Sequence, residues 1–197
     1  MGDRTDSNID AILLASAREG DEAAWRELVQ RLYPMIIAIV RRHLRRTADH
    51  DDVVQEVLLK AFLKLDTYAG VQPIEHWISR ITVTTCIDWL RKLKARPSVT
   101  WSDLSEAEQS LLDCRVGPVG GEAETEDTRQ AMRALLDKLL ATLKSDQQIA
   151  IRLLDLELHS VKEVAELTGW GESKVKVTAM RARKKLSELL QNLETSK

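Results

Sequence analysis

The 197-residue chain is poor in the residue types from which disulfide frameworks and metal centres are built. It has 2 cysteines and 4 histidines. Cys86 lies in an apolar run and Cys114 in a polar segment, without metal-ligand spacing, so we expect separate thiols in a reducing compartment. The histidines are scattered along the chain. The sequence therefore predicts no disulfide, no metal site and no cofactor.

Long hydrophobic runs are also missing. The most apolar stretch, Met35–Val40, is far too short to cross a bilayer, and the N-terminus MGDRTDSNID is polar. We therefore expect a cytoplasmic protein without membrane insertion. The sequence shows no P-loop, no glycine-rich phosphate loop after a strand and no pair of acids suited to a catalytic pocket, so an enzyme with an accessory DNA-binding tail finds no support.

The net charge is only −2, but charges of each sign are sorted along the chain. Between Ser98 and Thr128 there are eight acids and one base, Arg115, whereas basic clusters lie on both sides of this segment. Such asymmetry excludes a uniformly basic coat for nucleic acid. It favours contact with nucleic acid through local patches.

Helical periodicity covers nearly the whole chain, and no strand or internal repeat is evident. We predict an all-α fold with two helical domains, residues 1–96 and 128–197, joined by an acidic flexible linker over residues 97–127. The predicted helices lie near residues 9–13, from Asp21 with a break or kink at Pro34, over Asp51–Leu65, Ile74–Lys94, Leu104–Leu112, 132–143 and Gln147–Leu158. Tyr68–Pro73 is predicted to be a loop.

The stretch Ser160–Leu186, SVKEVAELTGWGESKVKVTAMRARKKL, predicts two helices joined by a glycine-containing turn. Ser160 and Glu163 have the spacing of a capping box at the start of the first helix. Gly169 and Gly171 mark the turn, and Ser173 is a candidate cap for the second helix, which we expect to end near residue 190. This order is typical of a helix-turn-helix whose second helix enters the DNA major groove.

The second helix of this pair has two distinct faces. One face recurs at the helical period and is expected to pack inward: Val175, Ala179, Ala182 and Leu186. The residues expected to bind DNA are Ser173, Lys174, Lys176, Val177, Met180, Arg181, Lys184 and Lys185. Cations suit phosphates and guanine edges, and Val177 and Met180 suit thymine methyl groups. The alternative is a solvated basic helix end.

Two helices of the first domain carry further patterns. The Ile74–Lys94 helix is basic in its second half and contains Trp77 and Trp89, an arrangement that can hold single-stranded DNA by phosphate pairing and stacking. Burial of both tryptophans in a core is the alternative. On the Asp51–Leu65 helix, a polar patch lies opposite the apolar stripe and suits a basic protein partner: Asp52, Gln55 and Glu56. An ordinary solvated face is the alternative there.

In this order, the segments DHDDVVQEVLLKAFLKLDTYAG and PIEHWISRITVTTCIDWLRKLKAR, an acidic linker and a helix-turn-helix ending RARKKL resemble the extracytoplasmic-function (ECF) group of bacterial sigma factors. The resemblance covers roughly Ala23–Arg96 and Leu135–Leu190. It implies two domains, called sigma2 and sigma4, and a dissociable subunit of RNA polymerase rather than an enzyme. A conventional helix-turn-helix regulator that acts without polymerase is the alternative.

The resemblance also implies partners and roles by position. Asp52, Gln55 and Glu56 match the surface that docks on the clamp helices of the β′ subunit, and the β flap of core RNA polymerase is a further partner. The residues implied to bind the minus-ten promoter element are Tyr68, Gln72, Arg80, Thr84, Asp88, Arg91 and Lys92. The DNA-binding candidates of the second helix of the helix-turn-helix, from Ser173 to Lys185, are implied to bind the minus-thirty-five element. Members of the family often have an anti-sigma factor.

The sequence departs from the family pattern at several of these positions. Thr84 stands where many members have asparagine, and the loop sequence VQP is unusual. Ser173, Lys174 and Val175 replace the usual G-T-V. These departures concern the promoter sequence that is recognised rather than the class of protein.

Overall fold

The structure, a computed structural model, describes residues 11–44, 47–92, 99–113 and 125–196. These ranges contain α-helices and no strand: α1 (Ala11–Arg18), α2 (Glu22–His43), α3 (His50–Lys64), α4 (Ile74–Lys92), α5 (Glu106–Asp113), α6 (Glu126–Ala141), α7 (Ser145–Ile151), α8 (Val161–Thr168) and α9 (Glu172–Thr195). The all-α prediction is confirmed for this part of the chain. Cys114, Lys94 and Arg96, which the sequence singled out, lie outside the described residues.

The chain divides into two compact units, Met1–Leu90 with Ala165–Gly169 and Arg91–Val164 with Trp170–Lys197. Each unit has its own packing and is described by itself. The predicted domain limits at residues 96 and 128 stay a prediction.

Helix α2 is the longest helix of the first unit, and Asp21 caps its N-terminus. The carboxylate of Asp21 accepts hydrogen bonds from the amides of Ala23 (2.8 Å) and Ala24 (3.3 Å), which satisfies two of the unpaired donors of the first turn. Buried residues then recur every four positions: Leu28, Leu32, Ile36 and Val40. They pack with buried residues of α3 and α4 in one core.

The predicted break at Pro34 is absent, because α2 continues through it. Proline removes one N–H from the helical hydrogen-bond ladder. However, Leu32 and Ile36 on either side of it are 3% and 0% exposed, and only a continuous helix keeps both on the core side. Burial of that face outweighs the lost hydrogen bond.

The core face of α3 is formed by an apolar stripe at the helical spacing. Val54, Val57 and Ala61 of this stripe are buried, but Phe62 is 50% exposed and its ring lies edge-on to Trp25, with centroids 5.1 Å apart. Leu59 and Leu63, on the opposite side, are 58% and 69% exposed. The helix therefore carries apolar side chains on its outer face as well as its inner one.

The second unit is centred on α6, α7 and α9. Leu140, Leu143, Ile151 and Ala182 are buried together, with the half-buried Leu136 and Leu186 packed against them. The helix predicted over Gln147–Leu158 begins at Ser145 and gives way to a π-helical turn over Arg152–Leu156. The amide of His159 donates to the carbonyl of Leu153 (2.9 Å), and Leu158 has a φ of 58°, the left-handed conformation in which many helices end.

Residues 99–113 of the predicted linker pack as part of the second unit. Leu104 and Leu112 are buried with Leu135 of α6 and Leu193 of α9. The carboxylate of Glu108, whose side chain is 3% exposed, accepts a hydrogen bond from the ammonium of Lys138 (2.6 Å). An acidic segment that looks like a linker in composition is therefore fastened to α6 by apolar burial and one buried charge pair.

Candidate nucleic-acid interface

Helix α8 and the turn after it are formed as the sequence predicts. The amide of Ser160 donates to the Glu163 carboxylate (2.7 Å), and the amide of Glu163 donates to the Ser160 hydroxyl (3.2 Å). These bonds from Ser160 lower the pKa of the Glu163 carboxyl. Gly169 has a φ of 71°, a conformation that glycine adopts without strain. The capping box and the glycine turn are confirmed.

Helix α9 begins two residues earlier than a cap at Ser173 would place it and ends later than predicted, at Thr195. Gly171, with extended backbone angles (φ −70°, ψ 147°), occupies the N-cap position, so the expectation that Ser173 caps this helix is wrong. Ser173 lies in the first helical turn and is exposed. The helix is therefore entered directly from the glycine turn.

The two faces of α9 are those predicted from the spacing. Val175, Ala179 and Ala182 are at most 1% exposed. On the other face Val177 is 40% and Met180 61% exposed, beside the exposed residues Lys176, Arg181 and Lys184. The helix thus presents two apolar side chains within a basic outer face, which suits both base edges and phosphates.

The ion pairs of this outer face are loose and leave its cations accessible to a ligand. Lys176 lies 3.9 Å from Glu172 and Lys184 lies 3.8 Å from Glu188, each pair one helical turn apart and more than half exposed. Exposed pairs of this type contribute about 0.3–0.5 kcal/mol. A phosphate can therefore displace either glutamate at little cost.

Other cations of α9 are engaged by their own domain. The ammonium of Lys185 donates to the carbonyl of Thr142 at the end of α6, and Arg183 donates to both carboxylate oxygens of Asp155 (3.1 and 2.5 Å). The hydrogen bonds that Arg183 donates to Asp155 raise the pKa of Arg183. Lys174 also lies against its own unit, within 3.4 Å of Asp146. The structure therefore gives Lys174 and Lys185 partners within their own unit, although both residues remain exposed.

The loop after α3 was predicted as a DNA contact, and its residues differ in exposure. Tyr68 is 9% exposed, its hydroxyl donates to the carbonyl of Gln72, and its ring lies 5.6 Å from that of Trp77. Tyr68 therefore shapes the loop from below and offers no open ring for stacking. Gln72 is exposed, and Val71 is 87% exposed, a feature that sequence reasoning missed.

The predicted DNA-facing side of α4 is polar and largely open. Arg80, Asp88 and Lys92 are exposed, and the half-buried Thr84 hydroxyl donates to the carbonyl of Arg80 (2.8 Å). Arg91, which belongs to the second unit, donates to Asp146 through Nη2 (2.8 Å). Arg91 therefore already has a carboxylate partner where the sequence suggested a free cation.

The two tryptophans of α4 favour the core alternative over a stacking platform. Trp77 and Trp89 are both partly buried and pack against the core of the first unit. Neither ring stands out from the surface in the way that base stacking on an open platform requires. We therefore assign both rings to packing, and the candidate DNA contacts of this helix are its exposed cations, Arg80 and Lys92 among them.

The polar patch of α3 is continuous with apolar side chains that sequence reasoning missed. Asp52 and Gln55 are exposed, and Glu56 is half buried and pairs with Lys60 (2.8 Å). Leu59 and Leu63 follow Gln55 at four and eight residues, so all lie along one side of the helix. The sequence could have indicated that both leucines are exposed, because neither falls at the helical spacing of the buried residues of α3. We call Asp52, Gln55, Leu59 and Leu63 the α3 outer stripe.

These features define a helical protein with two compact units and a helix-turn-helix formed by α8 and α9. The family described as Sigma-70 region 2 matches residues 28–96, and that described as Sigma-70, region 4 matches residues 133–186. The two matches together cover more than half of the chain. The chain belongs to the sigma-70 family of RNA polymerase sigma factors, in its ECF group.

Relatives match along nearly the whole chain. The ECF RNA polymerase sigma factor SigM of Mycobacterium tuberculosis is 29% identical over 186 residues, which cover 94% of this chain and 87% of that protein. The ECF RNA polymerase sigma-E factor of Escherichia coli is 27% identical over 184 residues, 93% of this chain and 95% of that protein. The predicted family is confirmed.

A solved structure supports the fold. The structure of CnrH in complex with the cytosolic domain of CnrY is similar with a TM-score of 0.51 and 24% identity, and covers 91% of this chain and 96% of that one. Among the described residues, no helix combines the length and the apolar character that crossing a membrane requires. The helical architecture is therefore shared with a solved protein of low sequence identity.

Proposed function

We propose that this sigma factor directs core RNA polymerase to promoters through three surfaces on its own chain. The α3 outer stripe docks on the clamp helices of β′, the loop at 68–73 with α4 holds the opened minus-ten strand, and α9 binds the minus-thirty-five duplex. The observation that supports this most strongly is the outer face of α9, where Val177 and Met180 stand exposed among lysines and an arginine. On such a face the apolar side chains suit base edges, whereas the cations suit phosphates.

The α3 outer stripe is suited to a protein partner rather than to DNA. It combines a carboxylate and an amide at Asp52 and Gln55 with two leucines that are more than half exposed. Acidic groups repel the phosphates of DNA but pair with basic residues of a protein partner. The centre of a protein interface is usually apolar. Leu59 and Leu63 supply that apolar part and extend the docking surface beyond the residues that the family resemblance implied.

The loop and α4 are suited to an opened strand. Gln72 and Val71 at the exposed edge of the loop supply a polar and an apolar contact for an unstacked base, while buried Tyr68 supports the loop from beneath. Arg80 and Lys92 offer cations to phosphates along α4. Unstacking a base costs a few kcal/mol, and these contacts offset that cost.

The wider assignment follows from the same surfaces. A protein with this role works in the cytoplasm as a dissociable subunit and performs no catalytic step of its own. Each unit binds only a short site, so polymerase is needed to set their spacing and to raise their effective concentration on DNA. The β flap is the proposed partner of the second unit, and an anti-sigma factor is a further proposed partner.

Binding to core polymerase tests the docking part of this proposal. Gln55→Lys and Leu59→Lys should each weaken the affinity for core RNA polymerase by at least about tenfold, because each places a cation on a surface that meets basic residues. Gln191→Lys, at an exposed glutamine of α9, is the matched control and should bind as tightly as the unaltered protein. Unchanged affinity in both α3 variants, with normal helicity, would remove α3 from the interface.

A further inference from the structure

Lys174 occupies an unusual position for a cation, and two groups of the same unit hold it there. Its ammonium lies 4.4 Å from the centroid of the Trp170 ring and 3.4 Å from a carboxylate oxygen of Asp146. Trp170 is half buried in the turn of the helix-turn-helix, and Asp146 lies in the first turn of α7. Three elements, the turn, α7 and α9, therefore meet at one side chain.

A lysine in the first turn of a helix needs such partners. The N-terminal end of a helix carries partial positive charge, so a cation there is disfavoured. The face of the Trp170 ring is the negative part of its quadrupole, and the Asp146 carboxylate carries a full negative charge. Together these groups offset the repulsion that Lys174 meets at the start of α9.

The contacts of Lys174, rather than its direction, separate it from Lys176 and Lys184. Lys174, whose side chain is 49% exposed, and Lys185 are eleven residues apart, which is three helical turns, so they lie on the same side of α9 with Arg181 between them. Lys185 donates to the carbonyl of Thr142 within the unit. Lys176 and Lys184, by contrast, are 64% and 79% exposed and have only loose partners on their own helix.

We propose that Lys174 is a positioning residue for promoter recognition rather than a phosphate contact. Through Trp170 and Asp146 it holds the turn and the first turn of α9 in one orientation relative to α7, so that Lys176 and Val177 meet the DNA at a fixed angle. This inference rests on the proposed function of α9 as the helix that binds the minus-thirty-five duplex. Arg91 donates to Oδ1 of the same Asp146 carboxylate, whereas Lys174 pairs with its Oδ2.

The salt dependence of promoter binding separates positioning from contact. Each phosphate contact that is removed lowers the slope of log affinity against log salt by about one, whereas the loss of a positioning residue leaves the number of contacts unchanged. The measurement uses the reconstituted holoenzyme, with core polymerase, on a duplex promoter at several salt concentrations. Lys174→Met and Trp170→Phe test the proposal, and Lys176→Met is the matched contact variant.

We expect Lys174→Met to weaken promoter binding about two- to fivefold with an unchanged slope, as the loss of a cation–π contact would. Trp170→Phe, which keeps a weaker ring contact, should have a smaller effect in the same direction, and the double variant should be no weaker than Lys174→Met alone. Lys174→Arg should restore the affinity, since a guanidinium also stacks on Trp170 and pairs with Asp146. If Lys174→Met fails to fold, Lys174→Gln, which removes the charge and keeps a polar side chain, provides the same test.

Two results would overturn this inference. A slope lowered by about one in Lys174→Met, equal to the change in Lys176→Met, would make Lys174 a direct phosphate contact. An affinity unchanged in Lys174→Met would remove its role altogether. If Lys176→Met also leaves both affinity and slope unchanged, α9 does not bind this duplex, and the proposed function of the helix fails together with the inference.

Discussion

At the residue scale, Leu158 shows how a helix end can be recognised as strained. It has a φ of 58°, a conformation that costs a non-glycine residue about 1–2 kcal/mol, and its side chain is 82% exposed, so little burial offsets that cost. Glycine is the usual residue where a helix ends in the left-handed conformation. A sequence pattern does not reveal the strain, because leucine there fits the apolar periodicity of a longer helix.

We predict that Leu158→Gly stabilises the protein by about 0.5–1 kcal/mol, since the relieved strain exceeds the extra freedom that glycine gives the unfolded chain. Urea unfolding followed by circular dichroism measures the difference. The matched control is Leu156→Gly, in the π-helical turn two residues earlier, which should destabilise by about 1 kcal/mol. Equal destabilisation by both substitutions would mean that Leu158 is not strained in solution.

Glu108 and Lys138 provide a second prediction at this scale. Lys138→Met should destabilise the protein by about 1–3 kcal/mol, because it leaves the buried Glu108 carboxylate without its charged partner. The double variant Glu108→Leu with Lys138→Met should recover part of that loss, since a buried ion pair can be replaced by apolar groups. Thermal unfolding of the three proteins tests this, and a Lys138→Met variant as stable as the unaltered protein would contradict it.

The same pair predicts a dependence on pH. Burial by itself raises the pKa of Glu108, but hydrogen bonds from Lys138 and Ser105 outweigh burial and lower this pKa in the folded protein. A carboxyl group with a lowered pKa in the folded state stabilises the folded protein at pH values above its unfolded-state pKa of about 4.3. This contribution is lost as the pH falls through the folded-state pKa. Glu108→Gln should therefore lose less stability than the unaltered protein between about pH 5 and pH 3.

At the element scale, the helices and the helix-turn-helix could be predicted because their signals are local. Apolar spacing marked the inner face of α9, and Ser160 with Glu163 marked the start of α8. Contacts between distant residues could not be predicted in this way. The hydrogen bond from Lys185 to Thr142 and the attachment of residues 99–113 to α6 both depend on partners 30 or more residues away.

The same distinction separates the cations of α9, and we predict different effects for two of them. Arg181→Ala should alter the preference among upstream-element variants by about 1–3 kcal/mol at one position, because residues in the first half of such a helix meet base edges. Lys184→Ala, farther along the same face, should weaken all promoters alike and lower the salt slope by about one. Transcription from a library of upstream elements at two salt concentrations measures both. An equal reduction at every promoter in both variants would mean that α9 supplies charge only.

At the scale of the whole molecule, the sequence predicted the two-domain helical class and the family, since these depend on the order of several local motifs. It treated the acidic segment as a linker, because composition alone does not show whether Leu104 and Leu112 are buried. The division of labour follows from the surfaces, with a stripe suited to protein on α3 and a basic face suited to DNA on α9. Neither surface is expected to bind DNA tightly without polymerase.

The most direct test of this account is initiation by core RNA polymerase on a library of randomised promoters, with transcript starts identified by sequencing. The account predicts starts only when the protein is added, at promoters that share two short motifs at one fixed spacing. Binding without polymerase to a palindrome, with no new transcripts, would instead identify a conventional helix-turn-helix regulator and contradict the account.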